Sequence, residues 1–223
     1  MNKIKLINKL KQRKYREEFG LFIVEGRRLC DEAQQSGAEI IFSITADEIG
    51  EREFKKLSDV ETPQGVLMVV KRPKVEPLTR DGLILVLDGL QEPGNVGGII
   101  RTAAAVGCRH IIALEDTVDP FNPKAVRASM GGIFKVNIIQ MLRAELLSKK
   151  IPLTAAALDG VSYDRFEFEN PTALVFGSEA RGVDRSILDA ARKITIPMVA
   201  MESLNVNVAA GILMYEWRRR RIV

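Results

Sequence analysis

From residue 83 onward, short apolar runs alternate with stretches of helical periodicity. Runs such as Leu83–Asp88, His110–Leu114 and Thr172–Phe176 have the length and composition of buried strands. Strands that alternate with helices predict a parallel sheet covered by helices on both faces, and therefore an α/β fold. The other elements predicted here are strands at Lys135–Ile138, Leu153–Ala157 and Ile194–Ile196, and helices at Val96–Val106, Lys124–Met130, Leu142–Lys149, Asp184–Arg192 and Val206–Arg220.

The first part of the chain predicts a second α/β unit, about half as long as a typical domain. Residues 74–81, with Pro77 among charged residues, are the predicted linker, so the expected domains are residues 1–73 and 82–223. The pattern of residues 3–15 predicts a basic amphipathic helix. The remaining predicted elements are strands at Leu21–Val24, Ile40–Ile44 and Gly65–Val70, and helices at Arg27–Gln35 and Asp47–Leu57.

Positive charge is concentrated at the two ends of the chain. Residues 1–16 carry seven Lys or Arg and no acid, residues 218–221 are four Arg, and the rest has 22 basic against 29 acidic residues. Clustered basic side chains are typical of a surface that binds phosphate groups, although a solvated helix face and a frayed tail would give the same pattern. The candidate RNA-binding side chains are Lys9, Lys11, Arg13, Lys14 and Arg16.

No apolar run approaches the roughly 20 residues that a membrane helix needs, and no secretory segment follows the basic N-terminus. We therefore expect a cytoplasmic protein. Cys30 and Cys108 are far apart in sequence and are expected to be two reduced, buried thiols in that compartment. Neither a membrane nor a metal ion is expected as a partner.

Three segments near the C-terminus each follow a short apolar run and open onto a turn or a helix: Phe176–Val183, Ile196–Met198 and Ser203–Asn207. In an open α/β sheet, ligands bind beyond the carboxyl ends of the strands. We therefore expect these loops to form one binding site. Pro197 has no N–H group, so its turn offers carbonyl groups and aliphatic contacts that suit an adenine ring.

The segment Gly94–Gly98 lies between a predicted strand and a predicted helix, where backbone N–H groups could bind phosphate. Its spacing matches neither the dinucleotide-binding pattern nor the P-loop, which argues against a nucleotide site. Asn95 at the expected helix start and Arg101 six residues later are candidate functional side chains. The alternative is a capping Asn and a surface Arg.

The segments Phe176–Val183 and Ser203–Asn207 each have a functional and a structural interpretation. Gly177 and Gly182 would let a ligand approach the backbone, and Glu179 could accept a hydrogen bond from a ribose or an amine. Glu179 could instead complement the dipole of the following helix. Ser203 and Asn205 could each be an ordinary helix cap, but two such residues exceed what one cap needs.

Three longer motifs in this order, Val86–Gly107, Leu174–Gly182 and Ile194–Gly211, resemble those of the SpoU/TrmH family of RNA ribose 2′-O-methyltransferases. The resemblance covers about the last 140 residues. Residues 1–70 resemble the substrate-binding domain of the family, a ribosomal-protein-like α/β unit, over a shorter match that includes Phe22–Gly26 and Thr62–Gly65.

The resemblance implies a SPOUT-type domain with a trefoil knot, a homodimer and S-adenosylmethionine as cofactor. It implies methyl transfer to RNA, with ribosomal RNA of the 23S class favoured over tRNA. A tRNA 2′-O-methyltransferase and a non-catalytic RNA-binding protein of the same fold are the alternatives. The implied catalytic residues are Arg101, Asn95, Glu179, Ser203 and Asn205, and the implied cofactor contacts are Gly177, Ile196, Met198 and Leu204.

Overall fold

A computed structural model describes residues 2–221. The N-terminal part contains a three-stranded antiparallel sheet of order β1-β3-β2, as expected for a small α/β unit. Its strands are β1 (Leu21–Glu25), β2 (Ile40–Thr45) and β3 (Val66–Lys71), and its helices are α1 (Lys3–Leu10), α2 (Arg13–Phe19), α3 (Arg27–Gln35), α4 (Ala46–Ile49) and α5 (Glu51–Leu57).

Two predicted helices of this unit are each divided in the structure. The helix predicted over residues 3–15 breaks at Gln12, whose backbone is extended. The break turns α2 so that Arg16 Nη1 donates to the carbonyls of Leu10 and Lys11 at 2.8 Å each, which satisfies the end of α1. The helix predicted over Asp47–Leu57 breaks at Gly50, where φ is 84°.

The C-terminal part contains a six-stranded sheet of order β6-β5-β4-β8-β7-β9, in which every pair is parallel. The predicted α/β fold with a parallel sheet flanked by helices is therefore confirmed. Its strands are β4 (Leu83–Asp88), β5 (His110–Leu114), β6 (Asn137–Met141), β7 (Leu153–Ser162), β8 (Thr172–Gly177) and β9 (Arg192–Thr195), and its helices are α6 (Pro93–Val106), α7 (Pro123–Ala128), α8 (Arg143–Ser148), α9 (Arg185–Leu188) and α10 (Val206–Arg219).

Several predicted boundaries in this sheet were wrong. The strand expected at Lys135–Ile138 starts later, because a 3-10 turn at Gly132–Phe134 precedes it. The helix expected at Asp184–Arg192 is only the short α9, since Arg192 already pairs with Thr154 as the first residue of β9. Among residues 2–221, no helix combines the length and apolar character needed to cross a membrane.

The two sheets share one apolar core across the seam between the units. The ring of Phe22 in β1 lies 5.1 Å from the ring of Phe121, centroid to centroid, and 6.0 Å from that of Phe134. Residues 72–82, between β3 and β4, contain no helix or strand. The domain boundaries proposed from the sequence stay a prediction, since this shared core does not mark a boundary.

A buried ion pair joins the units and corrects one prediction. Arg16 Nε donates to Asp119 Oδ2 at 2.6 Å, and both side chains are nearly inaccessible to solvent. Arg72 Nη2 donates to the same oxygen at 3.2 Å, and its guanidinium lies over the ring of Phe121. Arg16 was expected to bind RNA phosphate, but its charge is already neutralised inside the protein, so it is a structural residue.

The arginine cluster at the C-terminus is also largely used inside the fold. Arg219 and Arg220 both donate to the Glu216 carboxylate, at 2.6–2.9 Å, and these bonds lower the pKa of Glu216 to about 2. Arg221 donates to the Glu169 carbonyl at 3.2 Å and lies over the ring of Trp217. These contacts fix the end of α10, so most of the cluster is not a free phosphate-binding tail.

Cys30 and Cys108 are both buried and unbridged, which confirms the prediction of two reduced thiols. The pKa of each thiol is raised to about 12, mainly by burial and for Cys30 also by the charge of Asp31. A thiol with such a pKa is protonated and unreactive at neutral pH.

Two arginines of α2 provide a matched test of the buried ion pair. Replacement of Arg16 by Gln should lower the free energy of unfolding by about 3 kcal/mol, because it leaves the Asp119 charge buried with only Arg72 beside it. Arg13→Gln, which removes an exposed pair with Glu17, should cost less than about 0.5 kcal/mol. Urea denaturation measures both values, and equal losses would contradict this account of the seam.

Candidate active site

The sheet order places β4 beside β8 at the point where the winding of the chain changes direction. From β4 the chain adds β5 and β6 on one side, whereas β7, β8 and β9 lie on the other side. Asp88 at the end of β4 is in register with Gly177 at the end of β8. Ligands of open α/β sheets bind at such a switch point, so the loops after these two strands define the candidate site.

The loop after β4 enters α6 earlier than the sequence predicted. The helix begins at Pro93 instead of Val96, and its cap is Glu92, whose side chain accepts from Gly94 N at 3.2 Å. Lys124 Nζ donates to the same carboxylate at 2.6 Å. This bond, and to a smaller extent the bond from Gly94 N, lowers the pKa of Glu92. Asn95 is therefore not the helix cap, and its side chain is free for another role.

The glycines of this segment serve helix packing. A Cβ on Gly97 would lie 2.3 Å from the Ala125 carbonyl oxygen, so the residue lets α6 touch α7. A Cβ on Gly98 would lie 2.4 Å from Asn207 Nδ2, so the next glycine lets α6 touch α10. This close approach brings the start of α10 against the start of α6.

Asn95, in the first turn of α6, meets Glu179 and Asn205 of two separate loops through side-chain hydrogen bonds. Asn95 Nδ2 donates to Glu179 Oε1. Asn205 Nδ2 donates to Asn95 Oδ1 at 3.1 Å, while Asn205 Oδ1 caps α10 by accepting from Asn207 N at 3.0 Å. Three of the five predicted catalytic residues are thus brought together, and two of the three loops expected to converge, Phe176–Val183 and Ser203–Asn207, each contribute one of them.

The loop after β8 folds back on itself within five residues. Gly182 N donates to the Ser178 carbonyl at 2.8 Å, and Gly182 has a φ of 68°. A Cβ on Gly177 would lie 2.0 Å from the Gly182 carbonyl carbon, so the chain itself occupies the space that glycine leaves there. Glu179 lies in this turn, and the following helix α9 is capped by Asp184.

The loop between β9 and α10 presents apolar side chains beside the polar cluster. Ile196 and Met198 are half-buried, and Ile196 packs against the main core. Leu204 is 37% exposed, and Ser203 beside it is exposed as well. The loop therefore combines an aliphatic surface with the Asn205 amide at its end.

Arg101 lies on α6 one and a half turns beyond Asn95, with its side chain exposed. The segment after α7 runs directly over its backbone, since a Cβ on Gly132 would lie 3.1 Å from Arg101 Cα. The structure thus leaves the Arg101 guanidinium available to a partner from solution.

His110, the single histidine, lies away from this site. It is the first residue of β5, so it is at the opposite edge of the sheet from the carboxyl ends. Its ring nitrogens contact Thr79 Oγ1 at 2.7 Å and Asn137 Nδ2 at 2.9 Å. The pKa of His110 is lowered mainly by burial and to a smaller extent by the charge of Arg109. His110 is therefore a neutral structural residue.

Sequence reasoning missed a charged cluster that supports the second loop. Buried Asp88 accepts from Arg143 Nε at 2.8 Å and from Asp184 N at 2.7 Å, which fixes the chain just beyond Gly182. Arg143 also pairs with Glu115 and Asp116, at 3.1 and 3.2 Å. Partial burial opposes the charge on Arg143, but the bonds to Asp88 and Asp116 raise its pKa above the ordinary value. The sequence signal that could have revealed this cluster is Asp88, an acidic residue at the end of the otherwise apolar strand β4.

The described residues contain no group of three or more His, Cys, Asp or Glu side chains placed to hold a metal ion. The polar groups of the site are instead amides, a carboxylate, a hydroxyl and a guanidinium. Such a set is suited to hydrogen bonding and to binding phosphate.

Comparisons with known proteins agree with this architecture. The model of the SpoU rRNA methylase family matches residues 82–215, and that of the MRM3-like substrate binding domain matches residues 1–53. The chain is 31% identical to the 23S rRNA (guanosine(2553)-2′-O)-methyltransferase RlmP of Bacillus subtilis, over 97% of this chain and 96% of the relative. The chain therefore belongs to the SpoU rRNA methylase family, as its motifs predicted.

Solved structures of similar proteins share the whole fold. An AdoMet-bound rRNA methyltransferase from Sinorhizobium meliloti is 28% identical and superimposes with a TM-score of 0.88, covering 99% of this chain and 95% of that one. The SpoU methyltransferase AviRb from Streptomyces viridochromogenes, in complex with AdoMet, is 25% identical with a TM-score of 0.88 and coverage of 100% and 99%. Both the parallel sheet and the small N-terminal unit are thus those of SpoU methyltransferases.

Proposed function

We propose that this chain transfers a methyl group from S-adenosylmethionine to the 2′-hydroxyl of a ribose in ribosomal RNA, of the 23S class. The observation that carries the proposal is the meeting of Asn95, Glu179 and Asn205, one from each motif, at the carboxyl ends of β4 and β8. Membership of the SpoU family supports the reaction class, and the similarity to a 23S rRNA enzyme supports the substrate class. A cytoplasmic location fits that substrate.

The residues present fit the adenosyl cofactor. Ile196, Met198 and Leu204 offer aliphatic contacts to an adenine ring, and the carbonyl groups around Pro197 are acceptors for its amino group. Gly177 ends β8, where the loop that carries Glu179 begins. When bound there, S-adenosylmethionine supplies a methyl group on a sulfonium that is already activated toward an oxygen nucleophile.

The side chains of the site then mainly position the ribose. Arg101 binds a phosphate of the reacting nucleotide and polarises the 2′-hydroxyl, because a guanidinium donates hydrogen bonds but stays protonated and cannot act as a base. Glu179 and the two asparagines hold the loops and accept or donate hydrogen bonds to the sugar, and Ser203 adds a hydroxyl. As the methyl group joins the 2′-oxygen, the hydroxyl proton passes to phosphate or to solvent.

The essential role of Arg101 has a direct test. Arg101→Ala should lower kcat for methyl transfer at saturating RNA by at least about a hundredfold, because both phosphate binding and polarisation are lost. The measurement is methyl incorporation into ribosomal RNA isolated from cells that lack the enzyme.

Arg109→Ala is the matched control, since Arg109 is an exposed arginine paired with Glu76 at the opposite edge of the sheet. Its activity should equal that of the unmodified protein. Calorimetry with S-adenosylmethionine separates the two possible failures. No cofactor binding by the unmodified protein would favour a non-catalytic RNA-binding protein, whereas near-normal transfer by Arg101→Ala would exclude an essential role for that residue.

The N-terminal helices carry the proposed phosphate-binding surface, with the exception of Arg16. Lys9 lies over the rings of Tyr15 and Phe19, and Lys14 also lies beside Tyr15. Lys11 and Arg13 are each paired with one carboxylate, at 2.8 and 2.7 Å. Cations clustered beside the half-buried rings of Tyr15 and Phe19 suit RNA, because their charges can bind phosphate.

Replacement of Lys9 and Lys14 by Gln should weaken RNA binding and lower the slope of log K against log salt concentration by about 1.5, since each lost phosphate contact contributes about 0.7–0.9. Filter binding of ribosomal RNA over a range of salt concentrations measures the slope. Lys56→Gln with Lys71→Gln is the control, because both lysines are exposed and paired with carboxylates. Equal slopes for the two double variants would mean that Lys9 and Lys14 are only a solvated face.

We further propose that the protein is a homodimer whose C-terminal loops form a trefoil knot. Tyr215 and Val208 are exposed on one side of α10, and Leu204 is exposed just before it. Leu213 and Trp217 of the same helix are buried in the core. The knot is supported by the similarity to SpoU structures and by the packing of α10 on α6.

The dimer has its own measurement. Sedimentation equilibrium of the whole chain should give about twice the monomer mass of 24.8 kDa. Tyr215→Glu with Val208→Glu should shift the mass toward that of the monomer, because charges would enter a desolvated apolar interface. A monomer mass for the unmodified protein at tens of micromolar concentration would contradict the proposal.

A further inference from the structure

A cavity of about 250 Å³ lies at the seam between the two units, apart from the catalytic loops. Leu29 of α3 and Pro63 of the loop before β3 form its apolar surface on one side. Arg127 and Met130, in and after α7, close it on the other side. Both units are needed to build this cavity, and neither the sequence motifs nor the catalytic geometry makes use of it.

Met130 is held in the cavity wall at the expense of backbone strain. Its φ is 48°, a left-handed conformation that is uncommon for a residue other than glycine, asparagine or aspartate. Its side chain is nevertheless 37% exposed, so burial of an apolar group does not explain why methionine occupies the position. Met130 directly follows the C-cap of α7, where helices commonly end in this conformation, and the turn places its side chain in the cavity wall.

The rim of the cavity is positively charged. Arg28 lines the cavity, and the adjacent Arg27 lines a second, larger cavity of about 870 Å³ that shares Arg28, Pro63 and Gln64 with the first. Both arginines are exposed, and no carboxylate among residues 2–221 pairs with either of them. By contrast, Arg127 pairs with the nearly buried Glu25 at 3.3 Å. The positive charge without a carboxylate partner is therefore that of Arg27 and Arg28 in α3.

The segment after α7 leads along the chain from the cavity wall to the helix that carries the proposed catalytic arginine. Met130 is followed by Gly131, where a Cβ would lie 3.0 Å from Glu32 of α3, and by Gly132, where a Cβ would lie 3.1 Å from Arg101 Cα. One short stretch of backbone therefore connects the cavity wall, α3 and the helix that carries Arg101.

We propose that the seam cavity binds one unstacked base of the RNA, while Arg28 and Arg27 bind its neighbouring phosphates. A planar base buries its faces against the aliphatic groups of Leu29, Pro63 and Met130. The volume is below the roughly 300–1,000 Å³ of typical small-molecule sites, which suits one ring system better than a complete nucleotide chain. RNA is usually read specifically through such splayed-out bases.

The inference rests on the proposed function, and its first test locates the RNA on the protein. Ribosomal RNA from cells that lack the enzyme, labelled with 4-thiouridine, is bound to the full chain and irradiated. Crosslinks are expected in the peptide that contains Met130 and in the one that contains Arg28. Crosslinks confined to the N-terminal helices, residues 3–19, would overturn the inference and leave the proposed reaction untouched.

Substitutions in the cavity give the second test. Met130→Gly is expected to fold normally, because glycine adopts positive φ without strain, yet it removes the apolar wall. It should raise the KM for RNA about tenfold and leave both kcat and the affinity for S-adenosylmethionine unchanged, as expected for the loss of one base contact. Unchanged KM in a folded Met130→Gly protein would overturn the proposal.

Arg28→Gln and Arg52→Gln are the matched pair for the rim. Both arginines are exposed in the N-terminal unit, but Arg52 lines neither cavity. The first change should lower the salt slope of RNA binding by about one, and the second should not alter it. Equal slopes would count against the rim. Absence of methyl transfer by the unmodified protein would instead refute the proposed function, so the two failures are distinguishable.

Discussion

The buried carboxylate of Asp119 holds the two units of this protein in one arrangement. It accepts hydrogen bonds from Arg16 of α2 and Arg72 after β3, so two separate points of the N-terminal unit are fixed to the loop between β5 and α7. Desolvation of three charged groups is costly, and an ion pair of this kind adds little net stability over an apolar contact. Its geometric demand is strict, however, because a small shift would leave a charge buried without a partner. The ion pair therefore fixes the orientation of the two units, in addition to the apolar contact area between them.

The same principle operates in the loops of the site. Asn95 joins Glu179 and Asn205, and Asp88 joins Arg143 to the backbone beyond the second loop. Apolar packing alone would allow such exposed loops to slide, whereas hydrogen bonds between side chains of fixed length define their separation. A site that works mainly by positioning depends on this fixed spacing, since a displacement of about 1 Å can cost two orders of magnitude in rate.

The sequence was sufficient for the sheet and for the convergence of the loops, because both follow from patterns that are local in the chain. Buried parallel strands are continuous apolar runs, and strand ends in one sheet face one edge. The errors arose where distant contacts decide. The helix predicted at residues 3–15 breaks because Arg16 must reach Asp119, and Arg143 was overlooked because its partners come from other strands. A basic residue has the same appearance in sequence whether it binds phosphate or a buried carboxylate.

That distinction changes the expected path of the RNA. Some of the positive charge at the chain ends is paired within the protein, since Arg16 shares the Asp119 carboxylate with Arg72, and Arg219 and Arg220 share that of Glu216. The unpaired arginines at the seam, Arg27 and Arg28, were not conspicuous in the sequence, since two basic residues at a helix start form no cluster. Electrostatic attraction follows free charge and not composition. The strand that reaches Arg101 is therefore expected to cross the joint between the two units, so that the rigidity of that joint becomes part of how the substrate is held.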